Sequence, residues 1–347
     1  MVEIDFQKPL VSIIIPCRNE EKFIDKCLDS ILAQDYPKEK LEILIVDGIS
    51  TDNTRTIVSQ YMKQFSFLKL IDNHKKITPV GMNIGIENAM GEYIAMVNAH
   101  SVLGKDFIKL NVYYLNKIKD ADAVGGKLTS ISCANTEMGL SIAIAVDSVF
   151  ATGGNRYRTN RKSGFVQDTL PYCFYRRDIF KRFGYIDERL IRAQDGEFNL
   201  RLLAKGGKIF FTPEISSFLC SRLSLSSLWK QHFQYGRWKV RISEKLGLKV
   251  VKKQTLPAIF MASLFFSGLL GLKFEFFAYF FWSITFLYLS VNLLFSFYLA
   301  SKNKFKYFSY LPIIFIALHF SYGLGFIKGI IDFRILRKNL EDLQLSR

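Results

Sequence analysis

The sequence lacks the short motifs that mark several common enzyme classes. It has no G-x-G-x-x-G after a predicted strand and no G-x-x-x-x-G-K-[ST] anywhere, which argues against dinucleotide-dependent dehydrogenases and P-loop phosphotransferases. Its five cysteines are widely spaced and form no C-x-x-C pair, so neither a disulfide framework nor a zinc site is indicated. We therefore expect reduced thiols in a domain that faces the cytosol.

The N-terminus also lacks the apolar segment of a secretory signal. Glu3 and Asp5 stand there instead, so no cleavable signal peptide is expected and the first domain should stay in the cytoplasm. Apolar residues, by contrast, are abundant. Of the 347 residues 49% are hydrophobic and the mean hydropathy is +0.13, which excludes an intrinsically disordered protein. A chain of this length usually divides into about two structural units.

Positive charge is concentrated in one segment. The formal net charge is +16, and residues 222–253 hold nine lysines and arginines against a single acidic residue, Glu244. Because long apolar runs follow directly, anionic lipid explains this charge better than nucleic acid, each basic side chain near a membrane surface contributing about 1 kcal/mol. We predict a basic amphipathic segment at a membrane interface and no nucleic-acid partner.

Three runs without a charged side chain follow, at 254–272, 276–301 and 307–327. About 20 apolar residues suffice to cross a bilayer, so we predict a membrane region of about three hydrophobic helices over 254–331 and a basic tail over 332–347. Three spans would place Arg334, Arg337 and Lys338 outside, although basic residues usually collect in cytoplasmic loops. Three spans are the default prediction, and a re-entrant third run is the alternative.

The first 221 residues have the pattern of an α/β domain. Four short apolar runs predict strands at 11–15, 43–46, 68–71 and 93–97. Between them, apolar residues recur at helical spacing, which predicts helices. Strands that are apolar throughout predict a mostly parallel, Rossmann-like sheet covered on both faces. Ligands of such sheets bind at the carboxyl ends of the strands, and polar clusters follow three of these four runs.

Five motifs occur in order along the chain. They are PCRNEE after the first strand, VDGISTDNT after the second, GMNIGIENAMGEYIAMVNAH into the fourth, RAQDGEFNLRL at 192–202 and QYGRW at 234–238. Together they resemble family-2 inverting glycosyltransferases of the GT-A fold, and within that family the bacterial succinoglycan-type exopolysaccharide glucosyltransferases. The resemblance covers residues 9–240 and implies a GT-A catalytic domain over 1–221, followed by the membrane helices.

The resemblance implies a nucleoside-diphosphate sugar donor, with UDP-hexose as the first expectation. In the family a D-x-D motif holds Mn²⁺ or Mg²⁺ against the diphosphate, and here that position reads Asn98, Ala99 and His100. Only His100 keeps a metal-ligating side chain, so the requirement for a divalent cation is left open. The donor pocket implied by the matching motifs consists of Pro16, Arg18, Glu20, Asp47, Gly48, Asn98 and His100.

Asp195 matches the family's catalytic base, the carboxylate that removes the proton of the attacking acceptor hydroxyl. It also begins a predicted helix, where the dipole favours an acid, and both interpretations can hold together. Gln234, Arg237 and Trp238 match Q-x-x-R-W, which implies contacts with the acceptor and the departing diphosphate. The same helix also fits an aromatic and basic face on a membrane surface.

The predicted function is therefore a membrane-bound inverting hexosyltransferase that adds a sugar to a polyprenyl-linked glycan during exopolysaccharide or cell-surface polysaccharide synthesis. We expect a multi-pass protein of a bacterial-type inner membrane with a cytoplasmic catalytic domain. Two alternatives stay open. Q-x-x-R-W permits a processive polysaccharide synthase, and the lost D-x-D carboxylates permit a catalytically silent membrane protein that binds a nucleotide sugar.

Overall fold

The structure, a computed structural model, describes residues 8–134, 136–159, 162–190, 192–247 and 252–338. The N-terminal acids and parts of the predicted interfacial segment and basic tail (248–251 and 339–347) lie outside these ranges. The chain divides into two compact units. The first is Met1–Thr129 with Arg156–Leu219, and the second is Ser130–Asn155 with Cys220–Arg347.

The first unit is built on one nine-stranded sheet. Its strands are β1 (Val11–Cys17), β2 (Leu41–Asp47), β3 (Leu68–Asp72), β4 (Tyr93–Met96), β5 (Ser101–Leu103), β6 (Ala123–Ile131), β7 (Gly164–Val166), β8 (Phe174–Arg176) and β9 (Ile209–Cys220). Their order in the sheet is β3-β2-β1-β4-β8-β6-β9-β5, and β7 pairs with β9. The four strands expected from the sequence form one parallel block, while the later strands pair antiparallel.

Helices cover both faces of the parallel block, which explains why its central strands β1 and β2 are buried along their whole length. Ile13 and Ile15 of β1 belong to one buried cluster, and Ile14 between them belongs to another on the opposite face. The mostly parallel α/β architecture is confirmed. The helices of this unit are α1 (Ile24–Leu32), α2 (Thr54–Gln64), α3 (Thr78–Asn88), α4 (Phe107–Lys117), α7 (Arg156–Thr159), α8 (Ile179–Phe183) and α9 (Gln194–Ala204).

The second unit is helical. Residues 130–155 lie in it, although the sequence analysis places them in the catalytic domain. Their apolar helix at Glu137–Val146 packs with Leu311 and Phe315 in one buried cluster. The helices are α5 (Glu137–Val146), α6 (Val149–Thr152), α10 (Leu225–Lys245), α11 (Lys252–Gly271), α12 (Glu275–Lys302) and α13 (Leu311–Gly329), and a π-helical turn, Ile330–Ile335, continues α13.

Three apolar helices are long enough to cross a membrane, as expected: Gln254–Gly271, Glu275–Lys302 and Leu311–Ile335. Their packing differs. Inside the protein, 11% of the residues in each of the first two apolar stretches are buried, whereas 56% are buried in the third. The basic helix α10 lies along α13. A Cβ at Gly236 would stand 2.2 Å from the carbonyl oxygen of Tyr322, and one at Gly325 would stand 2.0 Å from that of Phe233.

The cysteines correct one expectation. The structure joins Cys133 and Cys220 in a disulfide with a Cα–Cα distance of 5.4 Å, whereas the sequence analysis expected only reduced thiols. These two residues are 87 positions apart, so their spacing gave no sign of pairing. Cys17, Cys27 and Cys173 are free and buried, as small apolar side chains often are.

Candidate active site

The carboxyl ends of β1, β2 and β4 meet at one edge of the sheet. Cys17 pairs with Asp47 in the parallel register, and Ile14 pairs with Met96. The N–H of Gly48 donates to the carbonyl oxygen of Cys17 over 2.8 Å. A Cβ at Gly48 would stand 3.2 Å from the Arg18 side chain, so the missing side chain leaves room for the stem of Arg18.

Asp47 is completely buried and its carboxylate is already engaged. It accepts a hydrogen bond from the backbone N–H of Ser50 over 2.9 Å and forms an ion pair with Arg55 over 2.7 Å. The hydroxyl of Ser50 also donates to it, and Arg55 bridges to Asp72 over another 2.7 Å. Asp47 therefore braces the loop after β2, while its expected contact with the donor stays a prediction.

The loop after β1 is tied to the loop after β2 and to the end of β4. Its backbone N–H groups at Asn19 and Glu20 donate to Ser50 and Thr54 over 2.9 and 2.8 Å. The Glu20 carboxylate lies 3.2 Å from Nδ1 of His100. Two residues expected in the donor pocket, Glu20 and His100, are thus in direct contact although 80 positions separate them in the chain.

A buried tyrosine, Tyr172, bonds two residues at the end of β4. Asn98 donates to the Tyr172 hydroxyl over 3.0 Å, and Ser101 shares a hydrogen bond of 2.6 Å with the same oxygen. Burial raises the pKa of Tyr172, the two hydrogen bonds lower it, and the nearby charge of Asp195 raises it further. Tyr172 is therefore bonded to the end of β4 and lies within the electrostatic influence of Asp195. The sequence analysis missed it because no motif contains it.

Asp195 lies in the first turn of α9 and is half-buried. Burial raises the pKa of its carboxyl group, and the backbone N–H groups of Asp195 and Gly196 oppose that shift by donating to the ionised form. No cation pairs with it among the described residues. The neighbouring Glu197 is buried and bound by Arg201 over 3.0 Å, which gives Glu197 a structural partner.

Backbone strain clusters around the same loops. Of the six residues other than glycine with a positive φ in the described part of the chain, four lie here: Asn19 (56°), Ile49 (53°), Tyr172 (52°) and Ala193 (56°). A β-branched residue such as Ile49 rarely adopts this conformation. Such strain persists only where the surroundings enforce it, and it concentrates at functional sites.

Two adjacent side chains at the site are of types that can ligate a metal. They are the imidazole of His100 and the carboxylate of Glu20, and the described residues contain no group of three or more His, Cys, Asp or Glu side chains that could hold a metal. A cation on a nucleotide takes further ligands from phosphate and water, so two protein ligands fit such an ion. The amide of Asn98 is turned to Tyr172 instead.

The Q-x-x-R-W residues lie on α10, in the second unit. Arg237 forms an ion pair of 2.7 Å with the fully buried Asp332, and the Trp238 ring packs 6.0 Å from Phe333 and is 5% exposed. Trp238 is therefore not part of an exposed aromatic face, unlike Trp229 and Tyr235, which are 37% and 41% exposed. The expected roles of Gln234, Arg237 and Trp238 toward diphosphate and acceptor stay predictions.

Comparison with a solved structure confirms the expected fold. The mannosyltransferase PcManGT from Pyrobaculum calidifontis, in complex with GDP-Man and Mn²⁺, has a TM-score of 0.57 to this chain. The alignment covers 94% of this chain and 88% of that one. At 16% identity this likeness shows the fold, a GT-A arrangement, and nothing further about the chemistry.

Sequence comparisons point to one family. The model of Glycosyl transferase family 2 matches residues 12–184. The succinoglycan biosynthesis protein ExoA of Rhizobium meliloti (strain 1021) is 27% identical over 267 residues, which are 75% of this chain and 78% of that one. The dolichyl N-acetyl-alpha-D-glucosaminyl phosphate 3-beta-D-2,3-diacetamido-2,3-dideoxy-beta-D-glucuronosyltransferase of Methanococcus voltae is 33% identical over 329 residues, covering 92% and 97%. With identity at this level along nearly the full length of both chains, the protein belongs to glycosyltransferase family 2.

Proposed function

We propose that this protein is a membrane-bound inverting glycosyltransferase that moves a sugar from a nucleoside-diphosphate donor, with UDP-hexose the first choice, to a lipid-linked glycan. The observation that carries the proposal is the grouping of site residues at the end of β4: His100 contacts Glu20, its chain neighbours Asn98 and Ser101 bond Tyr172, and Tyr172 is within the electrostatic influence of Asp195. The Methanococcus relative is named for a dolichyl-linked substrate and the Rhizobium relative for succinoglycan, which supports a lipid-linked acceptor and a polysaccharide product.

Asp195 is the proposed general base. The acceptor hydroxyl oxygen attacks the anomeric carbon, the bond from that carbon to the diphosphate breaks on the opposite face, and the hydroxyl proton passes to Asp195. The raised pKa of Asp195 suits this step, because a desolvated carboxylate binds a proton more readily. Backbone N–H groups at the start of α9 orient the carboxylate.

The donor is proposed to lie over the ends of β1, β2 and β4. Arg18 is exposed beside Gly48 and offers its charge to the phosphates, and Pro16 and Asp47 shape the floor of the pocket. Glu20 and His100 would hold a divalent cation. When bound, that ion would neutralise charge on the diphosphate as it departs. The presence of Mn²⁺ in the Pyrobaculum neighbour supports testing Mn²⁺ first.

Asp195→Asn tests the proposal. It should lower kcat by about 10²- to 10⁴-fold, because general-base catalysis contributes that much, and leave donor affinity unchanged. Transfer to a lipid-linked acceptor and donor binding would be measured on the full-length protein. Asp178→Asn is the matched control, since Asp178 stands just before α8 in the same unit and should leave both values unchanged. Unaltered turnover in Asp195→Asn would remove this residue from the mechanism.

A second candidate function is supported by one observation, the absence of both carboxylates from the D-x-D position. A protein that binds a nucleotide sugar without turning it over would keep the fold and lose only the metal ligands. Transfer and donor binding measured with Mn²⁺, with Mg²⁺ and without metal separate the two candidates. Binding without transfer under every condition would favour the silent protein, and Mn²⁺-dependent transfer lost in His100→Ala would favour the enzyme.

For the membrane, we propose that α11 and α12 cross as a hairpin and that α13 does not cross. Because α13 is largely covered and lies along α10, which carries Lys230, Arg237 and Arg241, it lacks the lipid contact of a simple span. This arrangement also puts the lysines near residue 304 and the basic residues at 334–338 on the cytoplasmic side, in agreement with the positive-inside rule.

A reporter fused to the C-terminus tests this topology. A fluorescent protein that folds only in the cytoplasm should be bright, and alkaline phosphatase at the same position should be inactive. The same reporters placed after Leu272, between the two proposed spans, should give the opposite result. An active phosphatase at the C-terminus would instead support three spans. Thiol labelling without reductant would show in the same cells whether the Cys133–Cys220 disulfide is formed, since disulfides are rare in the cytosol.

A further inference from the structure

A cationic cavity lies in the second unit, where α10 and the π-helical turn after α13 end. Its volume is ≈ 570 Å³. No residue matched to a family motif lines it, so the proposed transfer reaction leaves it unexplained. The lining residues are Arg241, Glu244, Phe333, Arg334, Arg337 and Lys338.

The lining carries more positive charge than its own acids neutralise. Four of its residues are basic and one is acidic. Arg241 pairs with Glu244 over 3.0 Å, and Lys338 pairs with the buried Asp332 over 3.2 Å. Arg334 and Arg337 are exposed and have no ion-pair partner in the described ranges of the chain. Two guanidinium groups are therefore available for an anion.

The cavity is more organised than a solvated basic face. The Arg241 guanidinium lies 5.6 Å from the centre of the Phe333 ring, and its buried Nε has no hydrogen-bond partner among the described residues. Arg337 has a φ of +48°, a conformation that L side chains seldom adopt. The contact with Phe333 thus holds Arg241 at the cavity, with its buried Nε as an unused donor.

Exposed apolar side chains stand next to this charge. Ile331, Ile335 and Leu336 are 37%, 67% and 55% exposed, and they belong to or directly follow the apolar stretch Leu311–Ile335. Charge and exposed apolar surface therefore occur together at the end of a membrane-associated helix. That combination suits an amphiphile with an anionic head and a hydrocarbon tail.

We propose that this cavity binds the diphosphate head of a polyprenyl-type lipid, with the tail against Ile331, Ile335 and Leu336. Bulk phospholipids are phosphodiesters with one negative charge on phosphate, whereas the lining keeps two guanidinium groups, those of Arg334 and Arg337, without an ion-pair partner in the described ranges. A lipid diphosphate, with at least two negative charges, matches these two groups better. The identity of this lipid as the carrier of the acceptor glycan rests on the proposed function, whereas the binding itself needs no turnover.

The test measures binding of farnesyl diphosphate to the full-length protein in phosphatidylcholine nanodiscs. Arg334→Gln with Arg337→Gln should weaken binding by about 100-fold, since one hydrogen bond to a charged group is worth about tenfold or more. Lys302→Gln with Lys304→Gln is the matched control, because it removes the same charge from exposed positions outside the cavity and should leave affinity within twofold. Ile335→Ser should weaken farnesyl diphosphate binding and leave inorganic pyrophosphate binding unchanged.

Each other outcome overturns the assignment. Equal affinity of the wild-type protein and the arginine double variant would exclude the cavity, and Arg334→Gln alone answers the same question if the double variant does not fold. Inorganic pyrophosphate that binds as tightly as farnesyl diphosphate would identify a free-anion site. Phosphatidylglycerol that competes equally would identify a site for bulk anionic lipid. Failure of the proposed function is recognised separately, because tight binding without any sugar transfer would leave the cavity assignment intact.

Discussion

Each unit contains an aspartate that is at least partly buried, and the surroundings of the two carboxylates differ in charge. In the second unit Asp332 is fully buried among three cations, with Arg237, Lys328 and Lys338 at 2.7, 3.1 and 3.2 Å. In the first unit Asp195 is half-buried with only backbone donors, and burial raises its pKa. A carboxylate that is paired with three cations is difficult to protonate, whereas a carboxylate without a cation partner can accept a proton.

Asp47 resembles Asp332 in its surroundings. Its matched motif places it in the expected donor pocket, and that contact stays a prediction. The structure shows Asp47 fully buried and paired with Arg55. Position at a strand end therefore does not by itself give the role of a carboxylate, and its partners have to be known as well.

The largest expected effect on stability is that of Asp332→Asn. It leaves Arg237 facing a neutral group at the fully buried position 332, and breaking a buried ion pair costs about 3 to 5 kcal/mol. We expect the low end of that range, because the two lysines are 45% and 39% exposed and can be hydrated. The free energy of unfolding of the full-length protein in detergent would be measured through its Tm.

The matched control for that prediction is Glu137→Gln. Glu137 pairs with Lys306 over the same 2.7 Å in the same unit, but the two side chains are 45% and 51% exposed. An exposed ion pair contributes about 0 to 1 kcal/mol, so the change should be small. Equal losses in the two variants would mean that burial does not separate Asp332 from a surface carboxylate.

Arg55→Gln should have a smaller effect, of about 1 to 3 kcal/mol on the free energy of unfolding, because it leaves a buried charged group without its partner. Asp47 keeps its bond to the backbone N–H of Ser50 over 2.9 Å, which limits the loss. Arg55→Lys retains the charge and should cost less. A stability equal to that of the wild-type protein would show that the Asp47–Arg55 pair does not stabilise the fold.

Much of the fold could be predicted from the sequence because its signals are local. The strands of the parallel block are mainly apolar runs four to seven residues long, and β1 and β2, which are covered on both faces, have seven residues each. The later antiparallel strands β7 and β8 have three residues each, too few for a periodic signal. The helix α5 looked like any apolar core helix, so its place in the second unit could not be inferred.

Site residues could be predicted only where they stand in a matched motif. Glu20, His100 and Asp195 each stand in a matched motif, and the contact of Glu20 with His100 agrees with their assignment to one pocket. The partners of these groups come from distant parts of the chain and follow no spacing rule. Tyr172 lies outside every motif, and Asp332 follows an apolar run that the sequence gives no reason to pair with Arg237.

The smallest effect concerns Asp195 again, now on stability. Because its pKa is raised in the folded protein, the unfolded chain ionises it more easily, so its charge disfavours folding at neutral pH. Asp195→Asn should therefore raise Tm at pH 7, and the difference from the wild-type protein should disappear as pH falls below about 4, where the unfolded aspartate is also protonated.

In the same comparison, kcat of the wild-type enzyme should fall as pH decreases through the raised pKa, because a protonated Asp195 no longer accepts the acceptor's proton. The two measurements are linked, since the desolvation that makes Asp195 a stronger base is also what destabilises the fold. A lower Tm for Asp195→Asn would mean that its carboxylate makes stabilising contacts, as that of Asp332 does. The contrast between the two aspartates would then be one of degree, and the assignment of the base would rest on kinetics alone.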